Sequence, residues 1–217
     1  MAYNVWFIAD LHITHKNILK YSKGRIEAMG LTDENDIEKH DQYIIDMWLS
    51  QTKRGDVIYV LGDFIMGRKE QAKKILHKLK SNGCKIHLIQ GNHDKSTRKL
   101  TNMYESVDLI KVVTFPKRIY EFLDQDFEVV MCHYPMKSWQ DKCKGAFHLY
   151  GHIHDNSPWV DTETDDLCLN VGYDNPLSGY TLFSLEQVYN IYKEKLRGMK
   201  PKEYSDEICK TNHKYIR

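Results

Sequence analysis

The chain has 217 residues, 41% of them apolar and 12% aromatic, which is enough to bury a core and excludes a disordered polypeptide. Its 31 basic and 30 acidic residues leave a formal charge of +1, so no global field argues for a nucleic acid partner or an anionic membrane surface. No apolar run approaches the ~20 residues that span a bilayer, and the first residues enter a strand-like run with no basic segment before it, so no secretion leader is expected. The five cysteines (Cys84, Cys132, Cys143, Cys168 and Cys209) lack C-x-x-C spacing, so the expectation is a reduced, cytoplasmic protein without a membrane span.

In chain order, the apolar run at 5–9 predicts a strand. Ile37, Ile44, Met47 and Trp48 share one face of a helix that ends near Lys53, with Gly55 beyond it. Runs at 57–61 and 86–89 predict strands, and between them Ala72, Ile75, Leu76 and Leu79 repeat the helical spacing up to Asn82 and Gly83. Residues 109–115, 118–123 and 128–132 read as successive antiparallel strands, with Asp124, Gln125 and Asp126 as a turn. Runs at 147–150 and 167–171 predict two more strands. Ser184 and Gln187 form a capping box that opens a last helix through Val188, Ile191 and Tyr192. No repeat or linker divides the chain. Residues 1–197 are therefore expected to form one α/β domain of mixed sheets covered by helices, and 198–217, polar and carrying Pro201, a loosely packed tail.

The polar residues fall in a pattern. Five apolar runs, those ending near residues 9, 61, 89, 132 and 150, are followed respectively by Asp10-Leu11-His12, Gly62-Asp63, Gly91-Asn92-His93-Asp94, His133 and Gly151-His152-Ile153-His154. Ligands of α/β sheets bind outside the carboxyl ends of strands, so these side chains can converge in one crevice. Imidazoles mixed with carboxylates suit Mn, Fe, Zn, Co or Ni better than the all-oxygen sites of Ca or Mg. In Asp10-x-His12 and His152-x-His154, residues two apart on extended chain point the same way, so each pair can grip one site. Asp63 is the natural carboxylate to bridge two ions ~3.5–4 Å apart, the arrangement that drives in-line displacement at phosphorus.

D-x-H, G-D, G-N-H-D, H and G-H-x-H in this order resemble the calcineurin-like metallophosphoesterase superfamily, over residues 10–154. The resemblance implies a four-layer α/β/β/α sandwich of two mixed sheets with a dinuclear site at the strand ends. It implies that Asp10, His12, Asp63 and His154 hold one divalent ion and Asp63, Asn92, His133 and His152 the other, manganese being the favoured metal. It further implies that a metal-bridging hydroxide attacks phosphorus, that His93 is the general acid, and that Asp94 orients His93. The opening D-x-H-x-x-H-x-N-I-x-K-Y, residues 10–21, is similar to a small bacterial and phage-type subgroup and brings His15 and Asn17 close to the ions, His15 with Asn92 as substrate contacts. Arg68 stands one place later than the arginine of the protein phosphatase pattern G-D-x-V-D-R-G, with Gly67 in its place, which argues against a protein phosphatase.

Other residues read as structural unless the fold places them. Lys95, Arg98 and Lys99 follow the Asn92-His93 turn, and Arg98 is the candidate phosphate contact among them. Trp139, Trp159 and Tyr173 could stack a nucleobase but suit core packing. His40, His77, His87, His148 and His213 lack motif context, and the acidic run 161–166 reads as an exposed loop. The expectation is hydrolysis of a phosphodiester, a nucleotide-like small molecule in preference to nucleic acid. The rivals are a phosphomonoesterase, a nuclease on single strands or ends, and a non-catalytic binding module that keeps the fold. Loops at 13–36, 64–69, 94–106 and 136–146 would set the substrate.

Overall fold

A computed structural model describes residues 3–154 and 167–198. In chain order the elements are β1 (Val5–Ile8), α1 (Ile18–Tyr21), α2 (Gly24–Ala28), α3 (Ile37–Gln51), β2 (Val57–Val60), α4 (Lys69–Leu79), β3 (Lys85–Ile89), β4 (Ser106–Asp108), β5 (Ile110–Phe115), β6 (Phe127–Cys132), β7 (Phe147–Tyr150), β8 (Cys168–Asn170), β9 (Phe183–Ser184) and α5 (Leu185–Gly198). One sheet runs β4-β3-β2-β1-β9, parallel except for β9, and the other runs β5-β6-β7-β8, parallel except for β5.

Strands β1, β2 and β3 are covered on both faces, which is why they read as unbroken apolar runs. On one face Ile8, Ile58, Val60, Ile86 and Leu88 meet Ile44, Ile45 and Trp48 of α3 and Ala72, Leu76 and Leu79 of α4. On the other, Phe7 stacks on Tyr59 at 5.6 Å and meets Phe115 of the second sheet edge-on at 6.0 Å. Helix α5 packs Tyr189 and Tyr192 on Phe127, at 5.0 and 4.9 Å. Its capping box is closed in both directions: the Ser184 N–H donates to Gln187 Oε1 at 2.7 Å and the Gln187 N–H donates to Ser184 Oγ at 3.1 Å. The result is the expected sandwich of two mixed sheets with flanking helices.

The two sheets are joined where the site lies. Ala9 donates its N–H to Val171 O and accepts the N–H of Tyr173, both at 2.9 Å. That bridge sets the carboxyl ends of β1 and β8 side by side. The ends of β2, β3, β6 and β7 follow by register along the same rim.

One expectation is corrected and one strand is added. Residues 118–123 are not a strand: β5 pairs directly with β6, Phe115 opposite Phe127, and the chain between them is the hairpin connection. Pro116 fixes its own φ and its carbonyl accepts the N–H groups of Ile119 and Tyr120, while Tyr120, Phe122 and Leu123 pack onto the core instead of alternating. Strand β4 has no counterpart among the expected elements, because Ser106-Val107-Asp108 has no apolar period; it is held by parallel pairing to β3 and by Lys111, whose Nζ donates to Ser106 Oγ and Asp108 Oδ2. Of the expected tail 198–217 only Gly198 is described, as the last residue of α5; Trp159, His213 and the acidic run 161–166 lie outside the described residues. Among the described residues no helix is long and apolar enough to cross a membrane.

Candidate metal centre

The strand ends turn sharply. Asp10, His12, Asp63, His152 and His154 all adopt left-handed backbone, with φ of 57°, 51°, 51°, 75° and 50°. Such conformations cost on the order of 1–3 kcal/mol each and persist where the surroundings over-determine them. Here they are fixed by bonds across the rim: Asp10 N–H to Gly62 O at 3.0 Å, His12 N–H to Asp63 O at 2.9 Å and His152 N–H to Asp10 Oδ2 at 2.8 Å. Gly62 (φ 90°) and Gly91 lie so close that a Cβ on Gly62 would sit 2.7 Å from the Gly91 backbone, and one on Gly91 would strike the Asp63 carboxylate.

Two groups of side chains converge. In the first, Asp10 Oδ1, His12 Nε2 and His154 Nε2 face one another: the two nitrogens are 3.2 Å apart and each is 4.0 Å from the oxygen. Asp10 Oδ1 is buried and has no hydrogen-bond partner, an orphan that a cation at the centre of the group would satisfy. In the second group Asp63, His133 and His152 converge, and Asn92 Oδ1 lies 3.0 Å from His133 Nε2. Asp63 Oδ2 stands between the groups, 3.7 Å from His12 Nε2 and 3.6 Å from His133 Nε2. One carboxylate and two imidazoles in each group fit a divalent ion that takes nitrogen and oxygen.

The protonation states differ across the two groups. Burial, then the Arg25 charge and the neighbouring imidazoles, hold His12 far below its ordinary pKa, and burial also depresses His15 and His152, so these rings keep a lone pair. Burial pushes Asp10 up to about 6, against the opposing pull of His154 and His133. For His154 burial works against the cation, but the hydrogen bond to Asp174, with Asp10 and Asp174 charge, prevails and raises it. Tautomers are set from behind. His133 Nδ1 lies 2.7 Å from Leu61 O and His154 Nδ1 lies 2.6 Å from Asp174 Oδ2, so both rings donate backwards and turn Nε2 to the centre.

His93 is half-exposed; its N–H donates to Asp63 Oδ1 at 2.8 Å and its Nε2 lies 4.0 Å from Asp63 Oδ2. Asp94 does not take the role expected of it beside His93. Its buried carboxylate accepts the N–H groups of Gly91, Asp63 and Phe64 at 2.8–3.1 Å and the Thr97 hydroxyl at 3.0 Å, so it locks the two metal-group turns together. His15 stands 5.3 Å from His12 and 6.4 Å from His93, ring to ring, and shares with them a cleft of about 390 Å³ whose other walls are Ile18, Tyr21, Ser22 and His154. Arg98 is not in that lining; it is exposed, 3.4 Å from Gln90 Oε1. Trp139 and Tyr173 are buried packing residues, not open stacking faces.

Sequence reasoning missed Asp174 and Arg25. The Arg25 side chain is wholly buried: it donates to both oxygens of Asp174, at 2.6 and 2.8 Å, to Asp10 O at 2.6 Å and to Leu11 O at 2.9 Å. Asp174 follows the run 167–171 through Gly172 and Tyr173, so the strand-end rule that marks the other candidate ligands also points to it. Nothing comparable marks Arg25, an arginine on a short helix that reads as surface. His40 belongs to the same buried network, its Nε2 3.0 Å from Arg25 Nη1.

The family model of calcineurin-like phosphoesterases matches residues 3–156. The gene 66 protein of Mycobacterium phage L5 is 27% identical over 177 residues, covering 72% of this chain and 79% of that protein. An uncharacterized protein of Methanocaldococcus jannaschii is 26% identical over 152 residues, 70% of each chain. A crystal structure of a protein of unknown function from Aquifex aeolicus shares the fold with a TM-score of 0.63 at 19% identity, over 87% of this chain and 99% of that one.

Proposed function

Since the chain belongs to the calcineurin-like phosphoesterase family, we propose that it hydrolyses a phosphodiester, a nucleotide-like small molecule, with two divalent ions, in a cytoplasmic setting. Asp10, His12, Asp63 and His154 hold one ion and Asp63, Asn92, His133 and His152 the other, with manganese the favoured metal. The observation that carries this is the position of Asp63 Oδ2, 3.7 Å from His12 and 3.6 Å from His133, one carboxylate between two donor groups. Two divalent ions, when bound, supply Lewis acidity that lowers the pKa of water and neutralises the attacking and leaving oxygens of an in-line displacement.

The protein's own contribution is placement. His93 stands at the open edge of the Asp63 group with its backbone tied to that carboxylate, where its imidazole can hand a proton to the leaving oxygen. Asp94 keeps the turns carrying Asp63 and His93 in register. The cleft beside them has four imidazoles and, among the described residues lining it, no lysine or arginine. That suits the single charge of a diester better than the two charges of a monoester.

Metal analysis of the purified protein, with hydrolysis of bis-para-nitrophenyl phosphate and of the matching monoester in Mn²⁺, tests the reading on wild type, Asp63→Ala and His93→Ala. The expected result is about two ions in wild type, as the two-metal mechanism requires. Asp63→Ala loses ions and turnover; His93→Ala keeps the ions and loses roughly 10²–10⁴ in rate. Full metal content with no cleavage of either ester would overturn it in favour of a binding module.

A further inference from the structure

A guanidinium carries five N–H bonds and no acceptor. In the buried Arg25 each of the five has a partner. Nε donates to Asp174 Oδ1 at 2.6 Å, and Nη2 donates to Asp174 Oδ2 at 2.8 Å and to Asp10 O at 2.6 Å. Nη1 faces Leu11 O at 2.9 Å and His40 Nε2 at 3.0 Å. Four of these acceptors are carboxylate or carbonyl oxygens, which accept in any state of the protein that keeps Asp174 ionised. The fifth is an imidazole nitrogen, and it accepts in only one tautomer. Because Arg25 can only donate, His40 Nε2 is bare and the ring proton sits on Nδ1.

Helix α3 supplies what that tautomer needs. His40 Nδ1 lies 2.9 Å from Oδ1 of the next residue, Asp41, which takes the proton's hydrogen bond. Burial lowers the His40 pKa against that bond, so the ring stays neutral beside the Arg25 charge. Asp41 is itself tied down: its two oxygens accept the Thr14 N–H at 3.0 and 2.9 Å. Thr14 lies between His12 and His15 in left-handed backbone, with φ of 69°. The hydrogen bonds therefore form one line of fixed direction. Asp41 accepts from His40, His40 accepts from Arg25, and Asp174 accepts from Arg25 and from His154 Nδ1, which leaves His154 Nε2 free for the first donor group. With the proton on His40 Nε2 instead, two N–H groups would meet where water does not reach, and the guanidinium would have to turn away.

We propose that His40, held in one tautomer by Asp41, is a positioning residue of the first donor group: by accepting the fifth N–H of Arg25 it fixes the guanidinium, and with it the Asp174 carboxylate that aims His154 at the ion. This rests on the metal-binding reading above and extends the support of that ion to helix α3. The second group, Asp63, Asn92, His133 and His152, takes its support elsewhere, His133 from Leu61 O. Loss of the His40 acceptor therefore acts on one ion and spares the other.

The test reads the histidine ring nitrogens of the full chain by magnetic resonance, first without metal and then during titration with Zn²⁺, a diamagnetic probe of both groups. In metal-free wild type the expected spectrum has the His40 proton on Nδ1 and a bare Nε2; a proton on Nε2 would overturn the proposal. In the titration His154 reports the first group and His133 the second. His40→Phe keeps a ring and removes the acceptor, and we expect Zn²⁺ affinity at His154 to fall about tenfold or more with that at His133 unchanged. His40→Gln places an amide oxygen near the lost Nε2 and restores most of the affinity. An unchanged affinity at His154, an equal loss at both rings, or a Gln variant no better than Phe would overturn the proposal. If His40→Phe does not fold, Asp41→Asn decides, because it removes the acceptor that holds the tautomer: a loss confined to His154 supports the proposal and no loss overturns it. Wild-type rings that ignore Zn²⁺ altogether would overturn the metal-binding reading and this proposal with it, whereas the other adverse outcomes overturn the proposal alone.

Discussion

Asp174 Oδ2 lies 2.6 Å from His154 Nδ1, and the same carboxylate takes both the Nε and an Nη of the buried Arg25. A carboxylate behind a metal-binding imidazole fixes its tautomer, its orientation and its basicity. Asp174→Asn keeps the shape and removes the charge. We expect metal affinity to fall by about 10–100-fold, the usual cost of losing such a partner. Calorimetric titration of the metal-free protein with Mn²⁺ checks this, and an unchanged dissociation constant would show that His154 needs no support from behind.

Arg25 holds the backbone of Asp10 and Leu11 as well as Asp174, all without access to water. Arg25→Met keeps much of the volume but leaves the carboxylate and two carbonyls without their donor. Removing one partner of a buried ion pair costs about 3–5 kcal/mol. Urea unfolding of the metal-free protein should show a midpoint lowered to match, with the denaturant slope unchanged.

Gly91 sits where a methyl group cannot. A Cβ there would meet the Asp63 carboxylate and come within 2.5 Å of the Asp63 backbone nitrogen. Gly91→Ala therefore forces Asp63 away from its position between His12 and His133. Overpacking of this kind costs about 1–3 kcal/mol, and we expect the variant to fold less stably and to hold less than the full complement of metal. Elemental analysis after dialysis decides it.

Metal binding should weaken on acidification. Burial places the Asp10 carboxyl at about 6, and below that value a proton occupies the oxygen that would take the ion. His154, raised by Asp174, adds competition of the same sign, whereas His12 and His152 are depressed and stay available. Between pH 7.5 and pH 5 the affinity for Mn²⁺ should fall by about tenfold or more on this account. Titrations at the two pH values giving equal constants would remove Asp10 from the ligand set.

Much of this centre could be read from the chain itself. Asp10, His12, Asp63, Asn92, His133, His152 and His154 each stand just past an apolar run, and a strand end is a place that a linear pattern can mark. The helices α3 and α4 and the capping box of α5 were legible for the same reason, since apolar spacing and Ser184-x-x-Gln187 are local signals. The run 118–123 deceived because three apolar residues packing on a core from a turn resemble a strand when only composition is seen.

What the sequence determined alone is the inventory: which donors exist, their order, and the kind of ion and reaction they suit. The tertiary structure decided what each donor faces. The Ala9–Val171 bridge, which joins the two sheets, and the buried Arg25 together set Asp174 behind His154 although the two are twenty residues apart. Only packing turned Asp94 onto the backbone of Asp63 and buried Trp139 and Tyr173. The physical reason is range: strand and helix propensities act over a few residues, whereas burial and hydrogen-bond partners are fixed by chain segments that meet only after the sheets have closed on each other.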